Sequence, residues 1–308
     1  MKTDILVAGG GPAGLTAALY AARMGKSVTV LEGSAPGGQI NFSPLVENYP
    51  GLPSVPGSQL AEELLHQAEQ LGVALEYETV TSFRTQGTGF LVTTDCAVRE
   101  CRALILATGL QHRTLGLPGE EELVGQGISY CAVCDGPFYA GKPVAVVGGG
   151  DTALQDALFL SGLCAQVTVI HRREVFRGAQ RLVEQVRQRE NIRCQMDAVV
   201  EELLTQDGHL AGVTIRNRIT EQITQLPVEG VFIAVGQLPQ SEPFSHLLAV
   251  DEDGYILADE RCTTTLPGVF AAGDCRAKEV RQLTTAVGDG AVAGLAACRW
   301  VDEHPIEA

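Results

Sequence analysis

The chain has 308 residues, of which 45% are hydrophobic and 19% are charged, so it is long and apolar enough to bury the cores of two domains. Its formal net charge of -15 excludes a nucleic-acid backbone as a partner, because such binding relies on Lys and Arg displacing counterions. No apolar run reaches the roughly 18 residues of a membrane span, so we expect no membrane segment.

The opening of the chain predicts a dinucleotide-binding unit. Its parts follow one another as strand, glycine turn, helix, strand and acid: residues 5–8, 9–14, 15–24, 27–31 and Glu32. Gly9, Gly11 and Gly14 let backbone N–H groups and a helix N-terminus approach a pyrophosphate. Glu32 stands where an acid bonds a ribose hydroxyl. This full order is far more specific than a glycine motif alone.

Loops and short strands follow this unit. Residues 37–51 are rich in loop formers, whereas residues 58–71 carry one apolar stripe and predict a helix packed on a core. The predicted strands are residues 74–81, 89–94 and 103–107. The last strand leads into Thr108 and Gly109. A shift toward Gly and Pro through residues 111–127 predicts a domain boundary.

Cys131 and Cys134, separated by two residues, follow this boundary, and Asp135 comes directly after them. Such a turn can form and open a disulfide with little backbone movement, which favours a two-electron redox centre. Asp135 could exchange a proton with a leaving thiolate if its pKa is raised. Half of a zinc site and a chance pair of buried cysteines are the alternatives. Because no second Cys-x-x-Cys or Cys/His pair is present, we expect no metal.

The total of nine cysteines is odd, and only Cys96 and Cys101 form another near pair. An odd count suits a reducing compartment, where a Cys-x-x-Cys is more often catalytic than structural. The N-terminus carries no pattern of a secretory signal. We therefore expect a cytoplasmic protein.

The pattern of the opening returns after the cysteine pair. The second copy consists of a strand, a turn, a helix to about residue 160 and a second strand, with the strands at residues 144–147 and 166–170. Its turn carries five predicted nucleotide-binding residues: Gly148, Gly150, Asp151, Thr152 and Ala153. Gly148 lies 139 residues after Gly9, and His171 lies 139 residues after Glu32. The chain thus contains the nucleotide-binding unit twice.

The second copy is basic where the first has an acid. His171, Arg172 and Arg173 stand at this position, and Arg177 follows one turn later. Guanidinium groups bind a 2'-phosphate with paired hydrogen bonds, whereas an acid would repel it. We therefore predict NADPH for this copy. For the other arginines nearby, a solvated helix face is the better interpretation: Arg181, Arg187, Arg189 and Arg193.

Strands and turns return after residue 196, with strands predicted at residues 212–219 and 230–235. A later strand runs into Gly273 and Asp274, whose carboxylate could reach a ribityl or phosphate-linked hydroxyl. The last predicted helix, residues 284–300, opens at Arg281 and Gln282 and contains three glycines: Gly288, Gly290 and Gly294. Helical glycines cost stability unless something packs against the backbone. A cofactor ring and a neighbouring helix both remain open as that partner.

Taken together, the motifs resemble those of the low-molecular-weight thioredoxin reductases, a class of the pyridine nucleotide-disulfide oxidoreductases. The likeness spans nearly the whole chain and rests on the following order of motifs: Gly9-x-Gly11-x-x-Gly14, Gly37-Gly38-Gln39, Glu47-Asn48-Tyr49-Pro50-Gly51, Cys131-Ala132-Val133-Cys134-Asp135-Gly136, Gly148-Gly149-Gly150-Asp151-Thr152-Ala153, His171-Arg172-Arg173-x-x-Phe176-Arg177, Gly273-Asp274 and Arg281-Gln282. This combination is more specific than any single motif.

The resemblance implies an α/β fold with two Rossmann-like nucleotide-binding domains, the second inserted into the first. An FAD-binding domain would comprise residues 1–113 and 242–308, and an NADPH-binding domain with the cysteine pair would comprise residues 114–241. In that family, electrons pass from NADPH to FAD, then to the disulfide and finally to thioredoxin. Its members are homodimers, and their domains rotate so that the disulfide and the nicotinamide take turns at the flavin.

The resemblance also implies roles for individual residues. Cys134 would face the flavin, Cys131 would attack the thioredoxin disulfide, and Asp135 would give and take the proton. The predicted FAD site consists of Gly9, Gly11, Pro12, Ala13, Gly14, Glu32, Gly38, Gln39, Asn48, Thr108, Gly109, Gly273, Asp274, Arg281 and Gln282. The predicted NADPH site consists of Gly148, Gly150, Asp151, Thr152, Ala153, His171, Arg172, Arg173 and Arg177.

The chain departs from the family at Gln237 and Gln240, where many members have His and Asn. A role for those two family residues in seating the flavin or coupling the domains therefore stays open here. Other functions are a flavin-dependent dithiol oxidase with oxygen as acceptor, a ferredoxin-linked thioredoxin reductase, and a redox-sensing module that only binds nucleotide. The arginines of the second copy argue against the first two.

Overall fold

A mixed sheet in one unit and a parallel sheet in the other organise the chain. The computed structural model describes residues 2–43 and 45–305. One unit comprises Met1–Gln111 with Leu238–Ala308, and the other comprises His112–Gln237. The predicted α/β class, with one nucleotide-binding unit inserted into another, is confirmed. The assignment of one cofactor to each unit stays a prediction.

Among the described residues, seven strands and two α-helices begin in the first segment of the discontinuous unit. They are β1 (Lys2–Ala8), α1 (Pro12–Arg23), β2 (Val28–Leu31), α2 (Gly57–Glu69), β3 (Ala74–Glu76), β4 (Val80–Gln86), β5 (Gly89–Thr94), β6 (Val98–Leu106) and β7 (Leu110–His112). The sheet has the order β3-β2-β1-β6-β5-β4, and β1 is parallel to both of its neighbours. Ile5, Leu6 and Val7 are fully buried, because the middle of a parallel sheet is covered on both faces.

Two elements differ from the sequence-based prediction. Helix α1 begins at Pro12 rather than at residue 15, because a proline fits the first helical position without losing a hydrogen bond. The strand predicted at residues 74–81 is two strands, β3 and β4, on opposite edges of the sheet. Between them Glu78 turns inward, is only 7% exposed, and accepts hydrogen bonds from Thr94 and Arg99. The predicted strand is thus interrupted where the chain passes from one edge of the sheet to the other.

The inserted unit contains a parallel and an antiparallel sheet. Its elements are β8 (Ile128–Ser129), α3 (Ala132–Asp135), β9 (Pro143–Gly148), α4 (Asp151–Ser161), β10 (Gln166–Ile170), α5 (Gln180–Gln188), β11 (Ile192–Gln195), β12 (Ala198–Gln206), β13 (His209–Asn217), β14 (Ile223–Leu226) and β15 (Gly230–Ala234). Strand β16 (Gln237–Pro239) begins at the last residue of this unit and continues into the other. The parallel sheet has the order β11-β10-β9-β15-β8, and the antiparallel sheet has the order β12-β13-β14. Strand β9, helix α4 and strand β10 repeat the arrangement of β1, α1 and β2, so the predicted second copy is confirmed.

The chain then returns to the first unit with β17 (Val269–Ala271) and α6 (Leu283–Glu303). Strand β17 pairs in parallel with β6. Helix α6 packs against α1, and a Cβ atom on Gly290 or Gly294 would run into the carbonyl oxygens of Ala13 and Ala17. Close helix packing therefore explains these two glycines. Across the described residues, no helix combines the length and apolar character needed to cross a bilayer.

Candidate active site

The cysteine pair follows strand β8 in the inserted unit, with Cys131 at the N-cap of the short helix α3 and Cys134 within it. Cys131 and Cys134 form a disulfide, with their Cα atoms 5.3 Å apart. Cys131 caps α3, and its Sγ accepts a hydrogen bond from the Cys134 N–H at 3.2 Å. Both cysteines are half-buried, and Val133 between them is 49% exposed. The turn that carries the disulfide thus reaches solvent at Val133.

Asp135 follows the disulfide with one oxygen bonded and the other free. Its Oδ2 accepts a hydrogen bond from the Ser129 hydroxyl at 2.6 Å. Its Oδ1 is buried and meets no hydrogen-bond donor from the described part of the chain. Burial raises the pKa of Asp135, and the Ser129 hydrogen bond opposes that rise. A carboxyl with a raised pKa next to a disulfide can hold a proton or release it.

Two further acidic groups lie on the elements around α3. Tyr139 follows it in the 3-10 turn Gly136–Tyr139, and burial raises its pKa to about 12, with a further contribution from Asp135. Asp156 lies on helix α4, which packs against α3. Burial alone raises the pKa of Asp156 to about 7. Tyr139 therefore stays protonated at neutral pH, whereas Asp156 titrates there.

A cavity of about 910 Å³ lies within the discontinuous unit. This volume is at the upper end of pockets that hold organic ligands, which are about 300–1,000 Å³. The sequence-predicted residues that line the cavity are Gly9, Gly11, Pro12, Ala13, Glu32, Gly38, Gln39, Thr108, Gly109, Gly273 and Asp274. The fold therefore gathers most of the predicted FAD residues around one space.

The glycine turn of this unit leaves room for a phosphate. Gly9 has a φ of +105°, which favours glycine, and a side chain there would meet Ala107. Gly11 precedes the first turn of α1, and a Cβ atom built on it meets nothing within 4 Å. Gly14 has no such room, because its Cβ would meet the Gly9 carbonyl oxygen. An open helix N-terminus on a cavity fits the pyrophosphate of a dinucleotide.

Glu32 lines the cavity while its carboxylate also shapes the turn. Its Oε2 accepts the Gly10 N–H at 2.7 Å, and its Oε1 accepts the Ser34 N–H at 2.8 Å. A carboxylate has about four lone-pair positions, so both oxygens can still accept a ribose hydroxyl. The side chain therefore fits the predicted role.

Asp274 lies in a network of charges that the sequence did not reveal. Its Oδ1 is 3.2 Å from Lys278 Nζ, which lies 3.1 Å from Asp289 Oδ2. Asp289 also accepts the Gly273 N–H at 3.1 Å and pairs with Arg276 at 3.0 Å. Burial raises the pKa of Asp274, and Lys278 opposes this. The partners of Asp289 are 11 to 16 residues away in the chain, too far for a local motif.

The other predicted FAD residues lie outside the cavity lining. Asn48 donates a hydrogen bond to the Gln282 side chain at 3.3 Å. Gln282 caps helix α6 through a capping box with Thr285. The Arg281 guanidinium stacks on the Tyr255 ring at 3.8 Å from its centre. These side chains thus make contacts within the protein itself. Their contact with FAD stays a prediction.

One of the two departures from the family pattern, Gln240, falls beside the cavity. Gln240 lines it, and the Gln240 carbonyl oxygen accepts a hydrogen bond from the Thr108 hydroxyl at 2.7 Å. The Gln240 N–H donates to the Gly109 carbonyl at 3.2 Å. Backbone contacts thus hold this segment against two predicted cofactor-binding residues.

The second glycine turn begins helix α4 of the inserted unit. Gly148 has a φ of +156°, and Gly149 leaves no room for a Cβ because the His171 ring fills that space. A Cβ on Gly150 would meet nothing within 4 Å. The Asp151 carboxylate accepts the Ala179 N–H at 2.6 Å and so holds the following loop. As in the first copy, the helix N-terminus is open beside the turn; Thr152 is exposed and Ala153 is buried.

The basic residues of this copy divide into two kinds. His171 is 5% exposed, its ring contacts the Val175 carbonyl at 3.1 Å, and burial lowers its pKa. The buried ring therefore packs the glycine turn. Arg172, Arg173 and Arg177 are all exposed and free to meet an anion. The exposed guanidinium groups could therefore hold a phosphate, whereas the buried His171 ring is less accessible, and the predicted phosphate contacts stay a prediction.

Comparison with known proteins identifies relatives over nearly the whole chain. Residues 3–290 match the pyridine nucleotide-disulphide oxidoreductase family. A thioredoxin reductase of Listeria monocytogenes is 41% identical over 97% of this chain and 94% of its own length. A bifunctional thioredoxin reductase/thioredoxin of Mycobacterium leprae is 40% identical over 98% of this chain and 66% of its own length. The crystal structure of a Streptococcus pyogenes thioredoxin reductase has a TM-score of 0.94 at 40% identity, covering 98% of this chain and 99% of that one.

Proposed function

Because the chain belongs to the pyridine nucleotide-disulphide oxidoreductase family, we propose that it reduces thioredoxin with electrons from NADPH, passed through FAD and the Cys131–Cys134 pair. The observation that carries this proposal is the half-buried disulfide next to a carboxyl of raised pKa. A purely structural disulfide needs no such neighbour. A module that only senses or binds nucleotide needs none either.

The cavity of the discontinuous unit supports FAD as the resident cofactor. Gly11 and the N-terminus of α1 would receive the pyrophosphate, Glu32 a ribose hydroxyl, and Asp274 a hydroxyl of the ribityl chain. FAD bound there would supply the two-electron chemistry that links the nicotinamide to the disulfide. Thr108 and Gly109 would line the cavity next to the glycine turn, because a Cβ atom on Gly9 would lie 3.1 Å from the Thr108 nitrogen.

Exposed guanidinium groups support NADPH as the electron donor. Arg172, Arg173 and Arg177 provide three forked donors around the position where the first copy has Glu32. The open N-terminus of α4 at Gly150 would receive the pyrophosphate. A ferredoxin-fed enzyme or an oxygen-dependent oxidase has no use for these arginines.

The thiol chemistry follows from the order of the residues. The Cys131 thiol gives its proton to Asp135 and attacks the thioredoxin disulfide. A bond then forms from Cys131 to one sulfur, the thioredoxin disulfide breaks, and the leaving thiolate takes the proton from Asp135. The Cys134 thiol next gives its proton to Asp135 and attacks Cys131, which restores the enzyme disulfide. The second thioredoxin thiolate takes this proton, so two electrons and two protons have moved.

Thioredoxin as the acceptor is supported by the named relatives, one of which carries thioredoxin in the same polypeptide. A homodimer and a cytoplasmic location are part of the same proposal. Light scattering of the purified protein tests the dimer. The odd number of cysteines supports a reducing compartment.

A stepwise anaerobic titration tests the activity. NADPH added to the flavin-loaded protein should bleach the flavin absorbance, and thioredoxin disulfide added next should restore it with release of thioredoxin thiols. Bleaching by NADPH without later transfer to thioredoxin contradicts thioredoxin as the acceptor. If NADPH does not bleach the flavin, but the protein oxidises a small dithiol with oxygen, the result would instead support a dithiol oxidase.

A further inference from the structure

Ser129 joins the nucleophilic cysteine to the carboxyl that handles its protons. It is the last residue of strand β8 and is only 3% exposed. Its Oγ accepts a hydrogen bond from the Cys131 N–H at 3.0 Å and donates one to Asp135 Oδ2 at 2.6 Å. The Asp135 N–H in turn donates to the Cys131 carbonyl at 3.1 Å. These hydrogen bonds therefore close a ring through Ser129, the backbone of Cys131 and Asp135.

We propose that Ser129 is a positioning residue for proton transfer: its hydroxyl holds Oδ2 of Asp135 so that the buried Oδ1 stays free to exchange a proton with sulfur. This inference rests on the proposed reduction of a disulfide through Asp135. Ser129 has a single hydroxyl proton, and the shorter of its two contacts directs this proton to the carboxylate rather than to the Cys131 carbonyl at 3.3 Å.

The free oxygen is what gives this arrangement its chemistry. A buried carboxylate oxygen without a donor is costly, so the site favours a proton there. A second donor at Oδ1 would stabilise the charged form and block the proton position at once. One donor fixes the side chain and still leaves it able to cycle between its two protonation states.

The groups around Asp135 define what else titrates nearby. Tyr139 lies in the turn after α3, with Lys142 and Glu229 around its ring, and Asp156 lies on the helix packed against α3. Burial and the Ser129 hydrogen bond are the causes that set the pKa of Asp135. Asp156, with a pKa of about 7, is the group whose titration must be separated from that of Asp135.

Infrared titration measures how Ser129 affects the protonation of Asp135, and it needs no disulfide acceptor. The carbonyl stretch of protonated Asp135 is identified as the band that Asp135→Asn removes and Asp156→Asn leaves. In Ser129→Ala the charged form loses its hydrogen bond, so the midpoint of this band should rise by about one pH unit, a tenfold change in proton affinity. Ser129→Thr retains the hydroxyl and should titrate like the wild type.

Kinetics then test the role in proton transfer. The reduced protein is mixed with thioredoxin disulfide, whose leaving thiolate needs a proton, and with an aromatic disulfide, whose thiolate leaves without one. The ratio of the two rates should fall with rising pH in the wild type. The midpoint of this fall should rise by about one unit in Ser129→Ala. Asp135→Asn should abolish the fall, and adding Ser129→Ala to it should change nothing more.

Each result decides one question. An infrared midpoint that does not move in Ser129→Ala, or that moves equally in Ser129→Thr, overturns the assignment to Ser129. The assignment is also overturned if Ser129→Ala slows the reduction of both disulfides equally at every pH, because that would be a structural effect only. A wild-type protein that leaves thioredoxin oxidised refutes the proposed acceptor instead, while the infrared titration still decides the role of Ser129.

Discussion

The Nζ of Lys278 lies 3.1 Å from Oδ2 of Asp289. The same nitrogen is 3.2 Å from Asp274 Oδ1, and Asp289 also accepts the Gly273 N–H. Helix α6 thus holds the loop that carries a predicted cofactor ligand. Because the lysine side chain is only 11% exposed, solvent screens the pair weakly.

Lys278→Met should weaken the retention of FAD. Without the lysine, Asp274 and Asp289 repel each other, and the loop of Gly273 loses its support. We expect the dissociation constant for FAD to rise about tenfold, close to the loss of one charge-assisted hydrogen bond. Titration of apoprotein with FAD, followed by flavin fluorescence, measures it. Lys142→Met is the control, because Lys142 pairs with Glu229 at the surface of the other unit.

Cys134→Ser should separate the two halves of the reaction. NADPH should still bleach the flavin, since the nucleotide sites are unchanged, but thioredoxin reduction should fall to background because no disulfide can form. Anaerobic absorbance and release of thioredoxin thiols measure the two steps. Cys194→Ser, which removes an exposed free cysteine of the same unit, should behave as the wild type. Reduction of thioredoxin by Cys134→Ser at the wild-type rate contradicts the assigned role.

Replacing Arg172 by Glu and Arg173 by Ala should change the preference for the nicotinamide donor. Two charge-assisted hydrogen bonds to the 2'-phosphate are lost, so kcat/KM for NADPH should fall at least about 100-fold. The value for NADH should change little. Steady-state rates with both donors give the ratio. Arg193→Ala, an exposed arginine on strand β11, is the matched control. An unchanged ratio rules out the 2'-phosphate assignment.

Gly290→Ala should destabilise the discontinuous unit, because its new methyl group would meet the Ala13 carbonyl on α1. Overpacking of this kind costs about 1–3 kcal/mol. Gly288→Ala, two residues earlier in α6, meets nothing within 4 Å and should gain up to about 1 kcal/mol of helix propensity. The thermal unfolding midpoint of the flavin-loaded protein should therefore fall for the first variant and hold or rise for the second. Equal midpoints would show that α6 can shift away from α1.

The two nucleotide-binding units were predicted from local sequence patterns. A strand, a glycine turn and a helix are neighbours in the chain, and Gly9 and Gly148 both adopt backbone conformations that favour glycine. Apolar runs also marked the buried parallel strands. The strand predicted at residues 74–81 is divided into β3 and β4, and between them the buried Glu78 pairs with Arg99, which is 21 residues away.

The sequence by itself determined three features: the redox cysteine pair, the duplicated nucleotide-binding motif, and the basic residues that replace the acid in the second copy. Each of these features consists of residues that are close together along the chain. Only the tertiary structure decided which polar groups meet. Ser129 and Asp135 belong to different elements, and Lys278, Asp289 and Gly273 meet through the packing of α6. It also showed that His171 is buried while its neighbouring arginines are exposed. Burial and pairing depend on contacts between distant segments, and no local pattern encodes these.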